Sequence, residues 1–167
     1  MKATNPESWR LEMIELYRPT IDELGFRESL MADEKTMSYN HTWGGTIPFP
    51  QTEWEKWYQR WLEGSAYQRY YRYLYNAESK DFVGEVAYHY DEKRKIHICD
   101  VIVLAEYRNM GFGSAGIQLL CDAAKENGVT MLYDDIAVDN LSYKLFLKNG
   151  FEIDYQDDTV IMVKKTL

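Results

Sequence analysis

Three stretches rich in aromatic and β-branched residues, Tyr67 to Asn76, Phe82 to Tyr90 and Lys95 to Leu104, are joined by short polar connections at Ala77–Asp81 and Asp91–Arg94. That pattern predicts strands in an antiparallel meander. After it the period changes. An apolar run, Val101 to Ala105, feeds into Arg108–Gly116; Ile117, Leu120, Cys121 and Ala124 then recur at i, i+3, i+4 and i+7, with Gly128 as a stop. This reads as strand, glycine turn, helix. Thr130 to Val138 is a further strand, and joining neighbouring parallel strands through the helix requires a right-handed crossover. Asp139 or Asn140 caps the next helix, with Leu141 and Leu145 on its buried face and Asn149-Gly150 as its stop. Phe151–Tyr155 and Thr159–Lys165 form a terminal hairpin.

The N-terminal third is less regular. Trp9–Tyr17 reads as a first strand, broken by Pro19 before a helix from about Ile21 to Met31. Ser38–Thr52 is a Gly/Pro-rich loop whose aromatics need burial. Thr52 is placed to cap a helix over Glu53–Leu62, with Glu55 as capping-box partner and Trp54, Trp57, Tyr58 and Trp61 on one face. The predicted class is α/β in the broad, α+β sense. It has a mixed, mostly antiparallel central sheet of about six to seven strands, flanked by about four helices.

Composition narrows the picture. A chain of 167 residues fits one domain, 1–167, and 46% apolar residues exclude a disordered chain. The net charge of -8 argues against nucleic acid or an anionic membrane as the main partner and is compatible with a cationic substrate. The two cysteines, Cys99 and Cys121, fall in a strand and on a helix stripe and read as buried reduced thiols. No Cys/His spacing suggests a metal. Without a signal peptide or a bilayer-length apolar run, the expected location is cytoplasmic.

Two features carry candidate chemistry. The first is the glycine turn. Gly111 and Gly113 allow a tight turn and close backbone approach, while the unpaired N–H groups of the first helical turn favour an anion. A Walker loop would need Gly-Lys-Ser/Thr, and Gly113 is followed by Ser114-Ala115; a dinucleotide fingerprint would need a parallel unit, and the approach here is antiparallel. The second is Asp100, an ionisable group between Ile98 and Ile102 where strand propensity and burial oppose it. Closing the Asp91–Arg94 connection symmetrically puts Tyr90 opposite Lys95 and Glu85 opposite Asp100. Two facing carboxylates have a raised pKa, which suits a general base near neutral pH. The plainer alternative for Asp100 is a hydrogen bond to a neighbouring backbone group or to Tyr88 or Tyr90.

The Arg108-x-x-Gly111-x-Gly113 pattern, with Asn140 and the Lys148-x-Gly150-Phe151 step downstream, resembles the GNAT superfamily of acyl-CoA-dependent N-acetyltransferases over roughly Ile96 to Lys165. The resemblance implies acetyl-CoA as acyl donor and no metal. Its pyrophosphate would be held by the amides of Arg108, Asn109, Met110, Gly111, Phe112, Gly113 and Ser114. The pantetheine arm would lie along Ile102 and Val103 and reach Asn140, although the spacing leaves Asp139 as an alternative contact. Asp100 or Glu85 would deprotonate the amine. Where the family often carries a tyrosine to protonate the thiolate stands Phe146, so Tyr143, one turn earlier, is the candidate acid. Tyr39 and Trp43 are the candidate acceptor-binding residues. The implied partner is a small-molecule primary amine, with a homodimer left open. The alternatives are protein N-terminal or lysine acetylation, and a non-catalytic acyl-CoA sensor.

Overall fold

The computed structural model describes residues 12–167; the Trp9–Leu11 part of the predicted first strand lies outside them. Among the described residues the chain forms one seven-stranded sheet in the order β1-β2-β3-β4-β5-β7-β6. The strands are β1 Ile14–Tyr17, β2 Arg69–Asn76, β3 Asp81–Asp91, β4 Ile96–Val103, β5 Met131–Ala137, β6 Glu152–Gln156 and β7 Val160–Thr166. All neighbours are antiparallel except β4 and β5. The helices are α1 Gly25–Ala32, α2 Glu34–Met37, α3 Trp54–Leu62, α4 Phe112–Glu126 and α5 Tyr143–Lys148. Short 3-10 turns occupy Ile21–Glu23, Ser38–Trp43, Gln51–Glu53 and Ala105–Tyr107.

Side-chain alternation divides the sheet into two packed faces. Leu74, Val86, Tyr88 and Cys99 join Ile117, Leu120, Cys121 and Ala124 of α4 in the main core. On the other face Tyr71, Tyr73 and Ala87 pack under α3 and Phe26, while Ile102 packs with Leu30, Met31 and Met37. The α3 aromatics are the cover of this second face. Trp57 stands edge-on to Tyr71 at 4.7 Å, and the Tyr58 hydroxyl donates to the Pro19 carbonyl at 2.9 Å. Both cysteines are free and buried.

Several local expectations are corrected. The predicted first helix is split into the Ile21–Glu23 turn and α1. No Thr52–Glu55 capping box forms, because Gln51–Glu53 continues as a 3-10 turn into α3 and Glu53 occupies the cap position. Leu141 is 65% exposed; the buried member of α5 is Phe146, edge-on to Phe151 at 5.0 Å. The β3–β4 hairpin closes one residue later on each side than a symmetric Asp91–Arg94 turn. Asp91 remains in the ladder opposite Ile96, and its carboxylate accepts from the Lys93 and Arg94 amides while Lys95 takes a positive φ of 55°. Asp100 therefore pairs with Ala87, and Glu85 pairs with Ile102. Since the pairing moves by two places and not one, Glu85 and Asp100 stay on one face as diagonal neighbours.

Candidate active site

The site begins where β4 and β5 part. Their parallel pairing consists of His97 with Leu132 and Ile98 with Tyr133, and it stops there. Beyond Ile98 the facing edges diverge, so backbone groups of Cys99–Val103 that point toward β5 lack a strand partner. An extended ligand can pair with such an edge as an added strand would. The resulting cleft holds about 980 Å³ and is lined by Ile102, Val103, Asp134 and Ala137 among others.

At one end of the cleft stands the N-terminus of α4. Gly111 is left-handed at φ 86° and occupies the cap position, and the first turn carries no acidic residue. A Cβ on Gly113 would come within 2.8 Å of the Leu145 side chain, so the glycine lets α5 lie against the start of α4. This turn lines the cleft through Gly111, Phe112, Gly113 and Ser114, and the first N–H groups of a helix lack intrahelical partners. Asn149 fixes the turn from behind, donating to the Ser114 hydroxyl at 3.0 Å and accepting from Gln118 at 3.1 Å. The Arg108 guanidinium is engaged elsewhere: it donates to the carbonyls of Thr36 at 2.7 Å and Lys35 at 3.4 Å. Buried Thr36 in turn accepts from the Ala105 amide at 2.9 Å.

The floor is acidic. Glu85 is 4% exposed; it accepts from the Tyr71 hydroxyl and lies 3.7 Å from Arg27 Nε. The Arg27 guanidinium sits over the rings of Phe49 at 4.5 Å and Trp57 at 4.6 Å. Burial raises the pKa of Glu85 against the opposing pull of Arg27 and Tyr71. Asp100 is exposed on the floor of the cleft, and its residue lines that opening. Enclosure and then the charge of Glu85 push its pKa up to about 6, with Arg27 working against them. Half-buried Asp134 has its pKa raised well above its ordinary value by enclosure and then by the charge of Asp100. Its neighbour Asp135 is ion-paired with Arg94 at 2.9 Å.

The Ser38–Trp43 turn lines another side of the cleft. Tyr39 lines the cleft, and its phenol is pushed up by burial and by the charge of Asp100. Trp43 also lines it but remains 53% exposed, contrary to the expectation that this loop buries its aromatics. Phe49 does bury its ring. His41 meets Asp139 at 2.9 Å, joining this turn to the segment after β5. Asn140, whose side-chain oxygen accepts from the Ser142 amide at 3.0 Å, lines the same opening.

Of the residues predicted from sequence, the fold brings Tyr39, Trp43, Glu85, Asp100, Ile102, Val103, Arg108, Asn109, Gly111, Phe112, Gly113, Ser114 and Asn140 to one cleft. Met110 turns outward, 42% exposed, and Tyr143 packs against the main core instead of lining the cleft. Sequence reasoning missed Arg27 and Asp134. Arg27 carries no sequence signal beyond a helical position. Asp134 carried the same signal that singled out Asp100, a carboxylate inside a strand pattern.

A mixed sheet that splits beside a glycine-turned helix, with acids on the floor of the split, defines an acyl-CoA-type transferase fold. Residues 30–151 match the family model described as the Acetyltransferase (GNAT) family, and the chain belongs to that family. Among curated proteins none matches the sequence significantly. The fold is shared with spermidine N-acetyltransferase from Vibrio cholerae in complex with CoA and spermine, at TM-score 0.74 and 17% identity over 93% of this chain and 96% of that one. It is shared too with the ribosomal-protein alpha-N-acetyltransferase RimL in complex with coenzyme A, at 0.72 and 14% over 93% and 94%. PaiA N-acetyltransferase from Thermoplasma acidophilum, in complex with coenzyme A, follows at 0.64 and 13% over 92% and 99%.

Proposed function

We propose that this protein transfers the acetyl group of acetyl-CoA to a primary amine of a small molecule by direct attack. The observation that carries the reading is the coincidence, in one cleft, of an unpaired β4 edge, the α4 N-terminus and Asp100. The pantetheine arm pairs with the β4 edge near Ile102 and Val103, and the pyrophosphate sits on the amides from Gly111 to Ser114. Asn140 faces the arm from the far lip. Asp100 takes the proton from the acceptor ammonium, and Glu85, one diagonal step away, raises its proton affinity. The free amine then attacks the thioester carbonyl. Holding the two reactants at this distance supplies much of the acceleration.

The Ser38–Trp43 turn, pinned to the far lip by His41 and Asp139, favours a small acceptor over a protein chain. Acetylation of a protein N-terminus or lysine is the second enzymatic reading, and a non-catalytic acyl-CoA sensor is the third. A screen of amines and peptides with acetyl-CoA, read as CoA release, separates them. Transfer to small amines is expected; transfer to peptides alone would replace the first reading by the second, and saturable CoA binding without turnover on any acceptor would replace it by the third.

A further inference from the structure

The reaction leaves a thiolate that needs a proton, and the tyrosine expected to supply it does not reach the cleft. Phe146 has no proton to give, and Tyr143 belongs to the core behind it. Across the split from Asp100, one residue past the last β4–β5 pair, stands Asp134, and its side chain lines the cleft. It makes no ion pair with any described residue, whereas Asp135 beside it is held by Arg94.

We propose that Asp134 is a catalytic residue, the general acid that protonates the departing CoA thiolate, working opposite Asp100 at the mouth of the strand split. The assignment rests on the acetyl-transfer reading of the same cleft. The two carboxyls stand on opposite walls of the split, where like charge opposes the ionisation of both together. The pKa of Asp100 is pushed up to about 6, and that of half-buried Asp134 is raised well above its ordinary value by enclosure and then by the charge of Asp100. Two like-charged carboxyls facing one cleft do not both ionise readily, which leaves one of them to hold a proton for the acid role. Other titratable groups around Asp134 are Cys99 on β4, Asp135 on its own strand and Tyr39 from the covering turn, each coupled to it electrostatically.

The steps balance. Asp100 accepts one proton from the acceptor ammonium and releases it to the cleft water. The amine nitrogen forms its bond to the acetyl carbon, the carbon–sulfur bond breaks, and the sulfur leaves with the bonding pair. The sulfur takes the Asp134 proton, giving CoA thiol. Asp100 accepts the second nitrogen proton and returns it to Asp134. The products are the acetamide, CoA and one proton in water.

Carboxyl carbon NMR of the wild-type protein tests the acid directly, without turnover. One carboxyl that stays protonated at neutral pH is expected, absent in Asp134→Asn and titrating lower in Asp100→Asn. Its persistence in Asp134→Asn, or full ionisation of every carboxyl at neutral pH, would overturn the assignment. Kinetics give the second arm: in Asp134→Asn, kcat falls roughly a hundredfold and its alkaline limb disappears, while CoA affinity changes little. A loss of CoA affinity with kcat intact contradicts the proposal. If the wild type acetylates no amine, the acetyl-transfer reading fails and the catalytic role of Asp134 fails with it, while the titration still reports whether Asp134 holds its proton.

Discussion

Asp100 concentrates the chemistry of the site in one side chain. In the proposed reaction Asp100, its pKa pushed up to about 6, is largely ionised at neutral pH, so kcat/KM should rise with pH through about 6 to a plateau that ends where the general acid ionises. Asp100→Asn should lower it by about 10²- to 10⁴-fold and remove that inflection, as a pH–rate profile on a good acceptor would report. Stability carries the opposite sign. The folded pKa lies above the unfolded value near 3.9, so the folded state holds the extra proton, and this group's contribution is lost as pH rises from about 4 to about 6. Asp100→Asn should therefore raise the melting temperature at neutral pH and give no gain near pH 4, by thermal unfolding at both values. The sequence exposed Asp100 because a carboxylate inside an apolar strand is costly. The hairpin register was not legible, since it depends on the Asx turn of Asp91 and the left-handed Lys95. Glu85 and Asp100 nevertheless share a face, because a two-place shift preserves the alternation.

Among the elements, the turn into α4 was the most legible, because glycine is needed there for a definite reason. Gly111 is left-handed, and Gly111→Ala should cost about 1–2 kcal/mol in urea unfolding. Arg108 illustrates a limit: its place in the motif was plain, but its partners lie more than 70 residues away in the chain. It ties α2, which leads into the Ser38–Trp43 turn, to the loop before α4, so two walls of the cleft are held to one another. Arg108→Ala leaves the Lys35 and Thr36 carbonyls without that donor. A loss of about 1–2 kcal/mol in denaturant unfolding is expected, together with a raised KM for the acceptor. The α5 segment was only half legible. Its length and stop were visible, but Leu141 lies exposed beside the cleft while Phe146 takes the buried position, a choice made by packing against Phe151.

At the scale of the molecule, the strand order puts the one parallel pair among the described residues in the middle of the sheet, and the split between its strands is where acid floor and helix terminus meet. The alternating strands, the crossover helix and the terminal hairpin made this arrangement readable. The N-terminal third was read poorly because its helices are short and its cover depends on distant contacts, such as Arg27 between Phe49 and Trp57 over Glu85. In the proposed function, the split seats coenzyme A on the turn from Gly111 to Ser114. Isothermal titration of CoA into the wild-type protein and into Gly111→Ala tests it most directly. Saturable one-to-one binding is predicted for the wild type, weakened about tenfold or more in the variant for the loss of about 1.4 kcal/mol of anion contact. No binding by the folded wild type, or equal affinity in both proteins, would contradict it.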